Sequence, residues 1–185
     1  MTIENNVIEN PVTGDRIKFI KTAVDTNGEL LELEYTTSKA GGTVPLHIHR
    51  IAEERFTVIR GKLGVQLGEK DVALEPGETA VIEPRTPHRF WNLDETETTF
   101  LTEIRPALHF QTYFETVFGL ARDGKVNKDG LPNFWQLMVL AQVADSYTAG
   151  APDFLLDAII GICAPLGKML GYQASYPQYS GEAHG

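Results

Sequence analysis

The sequence has little cysteine, no cluster of basic residues and no signal segment, and each shortage disfavours a class of protein. The single cysteine, Cys163, leaves no intrachain disulfide framework and is typical of a reducing compartment. Lys and Arg number 16 against 25 Asp and Glu, for a net charge of −9. Without a basic cluster, this balance disfavours nucleic acid and anionic membrane as partners. Residues 1–11 are polar and acidic, unlike a secretory or transit peptide, so we expect a cytoplasmic protein.

Long hydrophobic runs are also missing. The most apolar stretch, residues 154–170, is interrupted by Asp157, Pro165 and Lys168. A membrane-spanning helix needs about 20 mostly apolar residues, so this stretch predicts a helix of the folded unit rather than a membrane anchor. The sequence also has no P-loop, no Rossmann fingerprint and no Ser/His/Asp triad signature.

A concentration of metal-ligand side chains is present instead. Residues 41–61 contain His47, His49 and Glu54, and His88 follows further along the chain. Successive side chains of a strand point to opposite faces, so His47 and His49 share one face. Imidazole and carboxylate groups are costly to bury unless something satisfies them. A transition-metal ion would do so, since both groups are its common ligands.

Two kinds of periodicity divide the chain. Up to residue 106, short apolar runs alternate with turn signals, which predicts an all-β barrel or sandwich. After residue 106 apolar residues recur at helical spacing. The first stripe comprises Phe110, Tyr113, Phe114, Val117 and Phe118. We therefore predict a β domain over residues 1–106 and a helical extension over residues 107–185, packed on the barrel or on a dimer partner.

Three helices are expected in this extension. Asp123 and Gly124 end the first, Asn133 is positioned to cap the second, and the third begins at Asp153. Pro165 should kink or end the third helix because proline lacks a backbone N–H donor. An apolar extension of this kind has to be buried, and with two-fold pairing the commonest assembly, we expect a homodimer.

The order and spacing of certain residues resemble the two motifs of the cupin superfamily. They are Gly41, His47, His49, Glu54 and Gly61 in the first motif, and Gly77, His88 and Asn92 in the second. Glu83 and Arg85 stand where the second motif has Pro and Gly, so the turn before His88 is expected to differ, because a non-glycine residue is poorly suited to positive φ. The resemblance, to a single-domain cupin with a conserved barrel, implies a mainly β fold: a double-stranded β-helix, or jelly-roll barrel, with C-terminal α-helices.

The resemblance also implies that His47, His49, Glu54 and His88 bind one divalent transition metal. Iron or manganese is favoured because three imidazoles and one carboxylate leave two positions open on an octahedral ion. Nickel, zinc and copper stay open, although zinc prefers four ligands. Glu54 is expected to act as a ligand, and the resembling quercetin dioxygenases raise a second role for it as a catalytic base.

Phe56 and Phe90 share strand faces with Glu54 and His88, and they are expected either to line a substrate pocket or to belong to the barrel core. The leading functional hypothesis is a metal-dependent enzyme that carries out a dioxygenase-like oxidation of a small organic molecule. A non-catalytic module that binds or senses a small ligand is the alternative. An isomerase or epimerase is weaker, because sugar-phosphate enzymes of this fold need basic residues for phosphate.

Overall fold

The computed structural model describes residues 6–38 and 44–180. Within them lie eleven strands and three helices. The strands are β1 Val7–Glu9, β2 Arg16–Lys21, β3 Leu31–Thr37, β4 His47–Ile48, β5 Glu53–Arg60, β6 Leu63–Leu67, β7 Lys70–Leu74, β8 Thr79–Ile82, β9 His88–Asn92, β10 Thr98–Arg105 and β11 Tyr147–Thr148. The helices are α1 Phe110–Arg122, α2 Phe134–Ala141 and α3 Asp153–Met169.

Two antiparallel sheets form the β part of the protein. The six-stranded sheet has the order β1-β2-β3-β10-β5-β8, and the five-stranded sheet has the order β11-β4-β9-β6-β7. Non-consecutive strands are neighbours in both sheets, as in a jelly roll. The predicted mainly β fold with C-terminal helices is confirmed.

An aromatic cluster fills the space between the two sheets. Phe56 and Phe100 from the six-stranded sheet are 1% and 0% exposed, and Phe90 reaches them from the five-stranded sheet. Ring centroids of Phe90 lie 5.4 Å from Phe56 and 5.1 Å from Phe100, at steep interplanar angles. Edge-to-face contacts of this kind contribute about 0.5–1.5 kcal/mol beyond the burial of apolar area. The cluster therefore joins the two sheets.

Helix α1 carries its apolar stripe into the same core. Phe110, Val117 and Phe118 are between 2% and 7% exposed and belong to one cluster with the barrel residues. Helix α2 begins as predicted, with the Asn133 side chain accepting the backbone N–H of Gln136 at 3.1 Å. The first of the three helices thus covers the barrel instead of standing apart from it.

Of the two outcomes predicted for Pro165, a kink or an end of helix α3, the end is not observed. The helix continues to Met169. Pro165 and Gly161, whose carbonyl the missing N–H would have bound, both lie on the exposed side. Water can therefore satisfy that carbonyl, which lowers the cost of an interior proline. In the described ranges, no helix has the length and apolar character needed to cross a membrane.

The outer face of α3 exposes Phe154, Ile162 and Met169, which are 76%, 65% and 83% accessible. Because an apolar face of this kind is commonly covered by another subunit, we expect a homodimer. Sedimentation equilibrium should give about twice the chain mass of 20.5 kDa. Replacing Phe154 and Ile162 by Ser should shift the protein toward the monomer. Val24 is 82% exposed but lies outside α3, so Val24→Ser should leave the dimer intact. A wild-type monomer at every concentration would contradict this prediction.

Candidate metal centre and adjoining cavity

The structure brings all four predicted ligand residues together. His47 in β4 lies opposite His88 in β9, and His49 follows β4 immediately. Glu54 approaches from β5, in the other sheet. One nitrogen or oxygen atom of each residue lies within 4.8 Å of those of the other three. Since His49, Glu54 and His88 are 3%, 7% and 0% exposed, the group forms at the edge of the barrel interior.

Backbone carbonyls fix the orientation of all three imidazole rings. Nδ1 of each ring donates a hydrogen bond: His47 to the Pro45 carbonyl at 2.9 Å, His88 to the Thr86 carbonyl at 2.8 Å, and His49 to the Asp145 carbonyl at 2.5 Å. A carbonyl only accepts, so Nδ1 carries the hydrogen, and in the neutral ring Nε2 carries the lone pair. This is the state in which a histidine binds a metal through Nε2.

The charges in the group call for a cation. Oε2 of Glu54 lies 3.1 Å from Nε2 of His88 and 3.4 Å from Nε2 of His49. Burial alone would raise the pKa of Glu54, but hydrogen bonds from His49 and His88, which need a proton on Nε2, hold that pKa below its usual range. A metal ion bound at the same Nε2 atoms would take the place of those protons. Burial and the two neighbouring imidazoles lower the pKa of His47 to about 3. A buried carboxylate among imidazole lone pairs is stabilised by a bound cation, and three nitrogens with one oxygen suit a transition metal.

Asp145 supports this group and was not predicted from the sequence. Its carbonyl holds His49, and its carboxylate accepts the backbone N–H groups of Arg50, Ile51 and Ala52 at 2.7–2.9 Å. The residue is 5% exposed and precedes β11, which pairs with β4. It lies outside both motifs and far along the chain, and a lone Asp before a two-residue strand gives no periodic signal. Asp145 therefore positions the loop that follows His49.

We expect Asp145→Asn to weaken metal binding by about 10–100-fold, the usual effect of losing a group that orients a ligand. The variant keeps the shape of the side chain but turns one acceptor into a donor that faces a backbone N–H. Titration with a competing chelator measures the change. Asp157→Asn is the matched control, because Asp157 is 59% exposed and pairs with the Arg50 side chain rather than with the backbone of the loop. Equal metal affinity in both variants would show that Asp145 does not support the site.

The turn before His88 keeps the conformation that glycine would adopt. Arg85 has a φ of 68°, so the substitution has not removed the left-handed residue. Its backbone N–H donates to the His49 carbonyl at 2.6 Å, and its guanidinium pairs with Asp153 at 2.8 Å. These contacts offset the strain of a non-glycine residue at positive φ. The expectation of a different turn is thereby corrected.

The remaining motif residues have structural roles. Gly61 has a φ of 82°, and a Cβ atom there would lie 2.4 Å from the Thr98 hydroxyl. Asn92 donates to the carbonyls of Ser38 and Thr96, and its Oδ1 accepts from the backbone of Asp94 and from Thr98, so it holds a turn. Gly41 of the first motif lies outside the described residues.

A cavity of about 520 Å³ adjoins the candidate metal centre. His47, His49 and Glu54 lie on its wall, and so does Phe90, as predicted. Phe56 follows the other alternative, barrel core: it is 1% exposed and does not belong to the wall, and its ring packs edge-on against Phe90. The volume is in the range of sites for small organic molecules.

Helix α1 supplies much of the apolar wall. Its contributions are Phe110, Tyr113, Phe114, Val117 and Phe118. The Phe110 ring meets His49 edge-on with centroids 5.0 Å apart. These side chains were predicted as a buried stripe, but sequence spacing alone did not indicate that the stripe faces the metal group. The cavity is thus built by the barrel and the helical segment together.

Comparison with known proteins agrees with this architecture. The sequence profile of the family described as "Cupin domain" matches residues 34–103, which include all four clustered side chains. Over these residues the chain therefore matches a cupin domain. A protein of Arthrobotrys oligospora named as an oxidoreductase is 27% identical over 199 residues, covering 93% of this chain and 78% of that protein. A protein of Hypocrea virens named "probable oxidoreductase" is 28% identical over 149 residues, covering 73% and 67%.

Solved cupin structures include an RmlC-like cupin from Shewanella frigidimarina, with 21% identity and a TM-score of 0.46, covering 54% of this chain and 83% of that one. A cupin-like protein from Thermotoga maritima has 18% identity and a TM-score of 0.46, covering 52% and 71%. The protein thus has a region that matches a cupin domain, relatives named as oxidoreductases, and a His/Glu group that could hold a metal ion.

Proposed function

We propose that this protein is a metal-dependent enzyme that oxidises a small organic molecule in the manner of a dioxygenase. One divalent transition metal would be held by His47, His49, Glu54 and His88. The observation that carries the proposal is the convergence of these four side chains at the wall of a largely apolar cavity. The names of the two relatives support the reaction class, although their identity to this chain is low.

The protein would contribute orientation and a dry environment. The three carbonyl hydrogen bonds hold the imidazole rings in one tautomer, and the apolar side chains of α1 would limit the access of water to the reacting end of the cavity. When bound, a redox-active ion such as iron would supply the electron-transfer chemistry that oxidation by O₂ requires. Iron or manganese remains favoured over nickel, zinc and copper, because four protein ligands leave two positions of an octahedron for other molecules.

Glu54 is assigned the role of a ligand. Burial acts to raise the pKa of Glu54, yet the stronger combined effect of His49 and His88 is to lower it, so the carboxyl group is ionised at neutral pH. An ionised carboxylate beside a cation holds the cation well and accepts a proton poorly. A separate role for Glu54 as the catalytic base is thus disfavoured.

The proposal is tested on protein purified without an affinity tag. Its metal content is measured first, and metal-free protein is then loaded with iron(II), manganese(II) or zinc(II). With iron or manganese we expect O₂ uptake coupled to loss of a substrate from a panel of small aromatic and aliphatic compounds. Zinc is the control, because it binds the same ligands without redox chemistry. Ligand binding by the loaded protein without loss of either O₂ or ligand would instead favour the binding or sensing module.

A further inference from the structure

A second polar group lies on the wall of the cavity, outside the two motifs. It consists of Asn10, Asp15 and Tyr35, which are 4%, 7% and 7% exposed and all line the cavity. Backbone hydrogen bonds from Asn10 to Asp15 at 2.8 Å and from Gly14 to Asn10 at 2.7 Å close the turn that carries the first two. This group is called the distal polar group below.

The carboxyl group of Asp15 lies on the cavity wall and already accepts several hydrogen bonds. Its Oδ2 accepts from the Thr13 hydroxyl at 2.9 Å and from the Tyr35 hydroxyl at 3.1 Å, and its Oδ1 accepts from the Ser38 backbone at 3.1 Å. Burial raises the pKa of this carboxyl above its usual range, and its hydrogen bonds, including one from the Thr37 side chain, oppose that rise. An ionised carboxyl group has about four acceptor positions, so a ligand hydroxyl would take the fourth in competition with Thr37. A buried carboxyl that lines a cavity with spare capacity is suited to a ligand that donates a hydrogen bond.

Asn10 adds the complementary donor. Its Oδ1 accepts from the backbone of Val12 at 3.0 Å and of Thr13 at 3.3 Å. Within residues 6–38 and 44–180, no residue accepts a hydrogen bond from its Nδ2, although the side chain lies on the cavity wall. A hydroxyl group both donates and accepts, so it matches an acceptor and a donor carried by the same turn.

The strand register separates the distal polar group from the candidate metal centre. Glu54 lies opposite Ile104, which lies opposite Leu31, so these three residues form one row across the sheet. Tyr35 is four positions after Leu31 on the same strand. At roughly 3.3 Å per residue, the two rows are about 13 Å apart. One cavity therefore reaches from the metal ligands toward Asp15.

Apolar side chains line the path between the two polar ends. Leu33 lies between the two rows on β3, and Phe90 and Phe114 are further parts of the wall. Thr102, opposite Leu33, adds a single hydroxyl to this largely apolar stretch. A ligand that follows this path has an apolar body, because an unpaired polar group against these side chains would be costly.

We propose that Asp15, together with Asn10 and Tyr35, determines specificity by binding the hydroxyl group of an elongated, mostly apolar alcohol or phenol whose other end faces the metal centre. This inference rests on the proposed function for the position of the reacting end. The proposed substrate class is defined by one hydroxyl group that lies about two ring lengths from the metal ligands.

Three probes test this assignment: biphenyl-4-carboxylate, its 4′-hydroxy derivative and its 4′-methoxy derivative. Their carboxylate is directed to the metal, and calorimetry on metal-loaded protein gives each Kd. The wild type should bind the hydroxy probe about tenfold more tightly than the parent, as for a hydrogen bond to a charged group. The methoxy probe should show no such gain, because it cannot donate. In Asp15→Asn the ratio of hydroxy to parent affinity should fall to about one.

Asp71→Asn is the matched control. Asp71 is exposed on β7, so this variant should keep the tenfold ratio of hydroxy to parent affinity. The methoxy comparison uses wild-type protein, so it shows whether binding requires a hydrogen-bond donor on the ligand even when Asp15→Asn fails to fold. A wild-type ratio near one, an equal gain for the methoxy probe, an unchanged ratio in Asp15→Asn, or no binding of any probe would each overturn the inference. Absence of O₂ uptake with the tenfold ratio preserved would count against the proposed oxidation alone.

Discussion

Replacing His49 by Ala is expected to remove stable metal binding while the barrel remains folded. Loss of one ligand should weaken metal binding by more than the 10–100-fold typical of a supporting group. The change also leaves the buried Asp145 carbonyl without its donor, which costs about 1–3 kcal/mol. That cost is smaller than the roughly 5–15 kcal/mol that separates a domain from its unfolded state. Metal per chain, measured after dialysis, and a thermal melt together check both parts of the prediction.

His109→Ala is the matched control for this experiment. His109 precedes α1, its side chain makes no capping hydrogen bond, and it does not belong to the metal group. The control should keep the metal content of the wild type. Wild-type metal stoichiometry in His49→Ala would refute the ligand assignment.

Removing residues 106–185 should cause aggregation or a large fall in melting temperature. Truncation uncovers the barrel surface that Phe110, Val117 and Phe118 bury, and these three side chains together contribute roughly 5–9 kcal/mol at about 1.5–3 kcal/mol each. That amount is comparable to the whole stability of a domain. Differential scanning calorimetry and light scattering measure the two effects.

A matched pair of point variants separates packing from chain length. Phe118→Ala, at a position 5% exposed, should lower the free energy of unfolding by about 3–5 kcal/mol. Phe154→Ala, at a position 76% exposed, should change it by about 0.5 kcal/mol or less in the monomer. A truncated protein as soluble and as heat-stable as the full chain would show that the extension is dispensable.

Motif spacing predicted the metal group because the facing of neighbouring side chains on a strand is determined by the local backbone. Alternation along β4 places His47 and His49 on one face, and the antiparallel partner β9 places His88 beside them. The start of α2 was also predictable from nearby sequence, since one side chain, Asn133, caps it. The substitution at Arg85 was misleading for the opposite reason: contacts with the distant His49 and Asp153 stabilise the turn, and spacing does not reveal such contacts.

The walls of the cavity were less predictable. Phe56 and Phe90 carry the same side chain and both alternate toward the interior, yet only Phe90 reaches the cavity. The difference arises because Phe56 lies deeper between the two sheets than Phe90, and the alternation of a strand does not reveal depth. Asp15 and Asp145 are single carboxylates in irregular segments, and their partners lie up to 23 and 96 positions away. Their roles depend on these distant contacts, which spacing along the sequence does not reveal.

The position of Asp145 in the chain has a consequence for biosynthesis. All four candidate ligands are translated before residue 89, whereas the carbonyl and carboxylate that orient His49 and its loop are translated more than fifty residues later. A nascent chain therefore possesses all four ligand side chains before it possesses the support of His49. Metal capture by the emerging barrel would be weak and reversible, and firm retention would begin only after the segment containing Asp145 and β11 has left the ribosome and paired with β4.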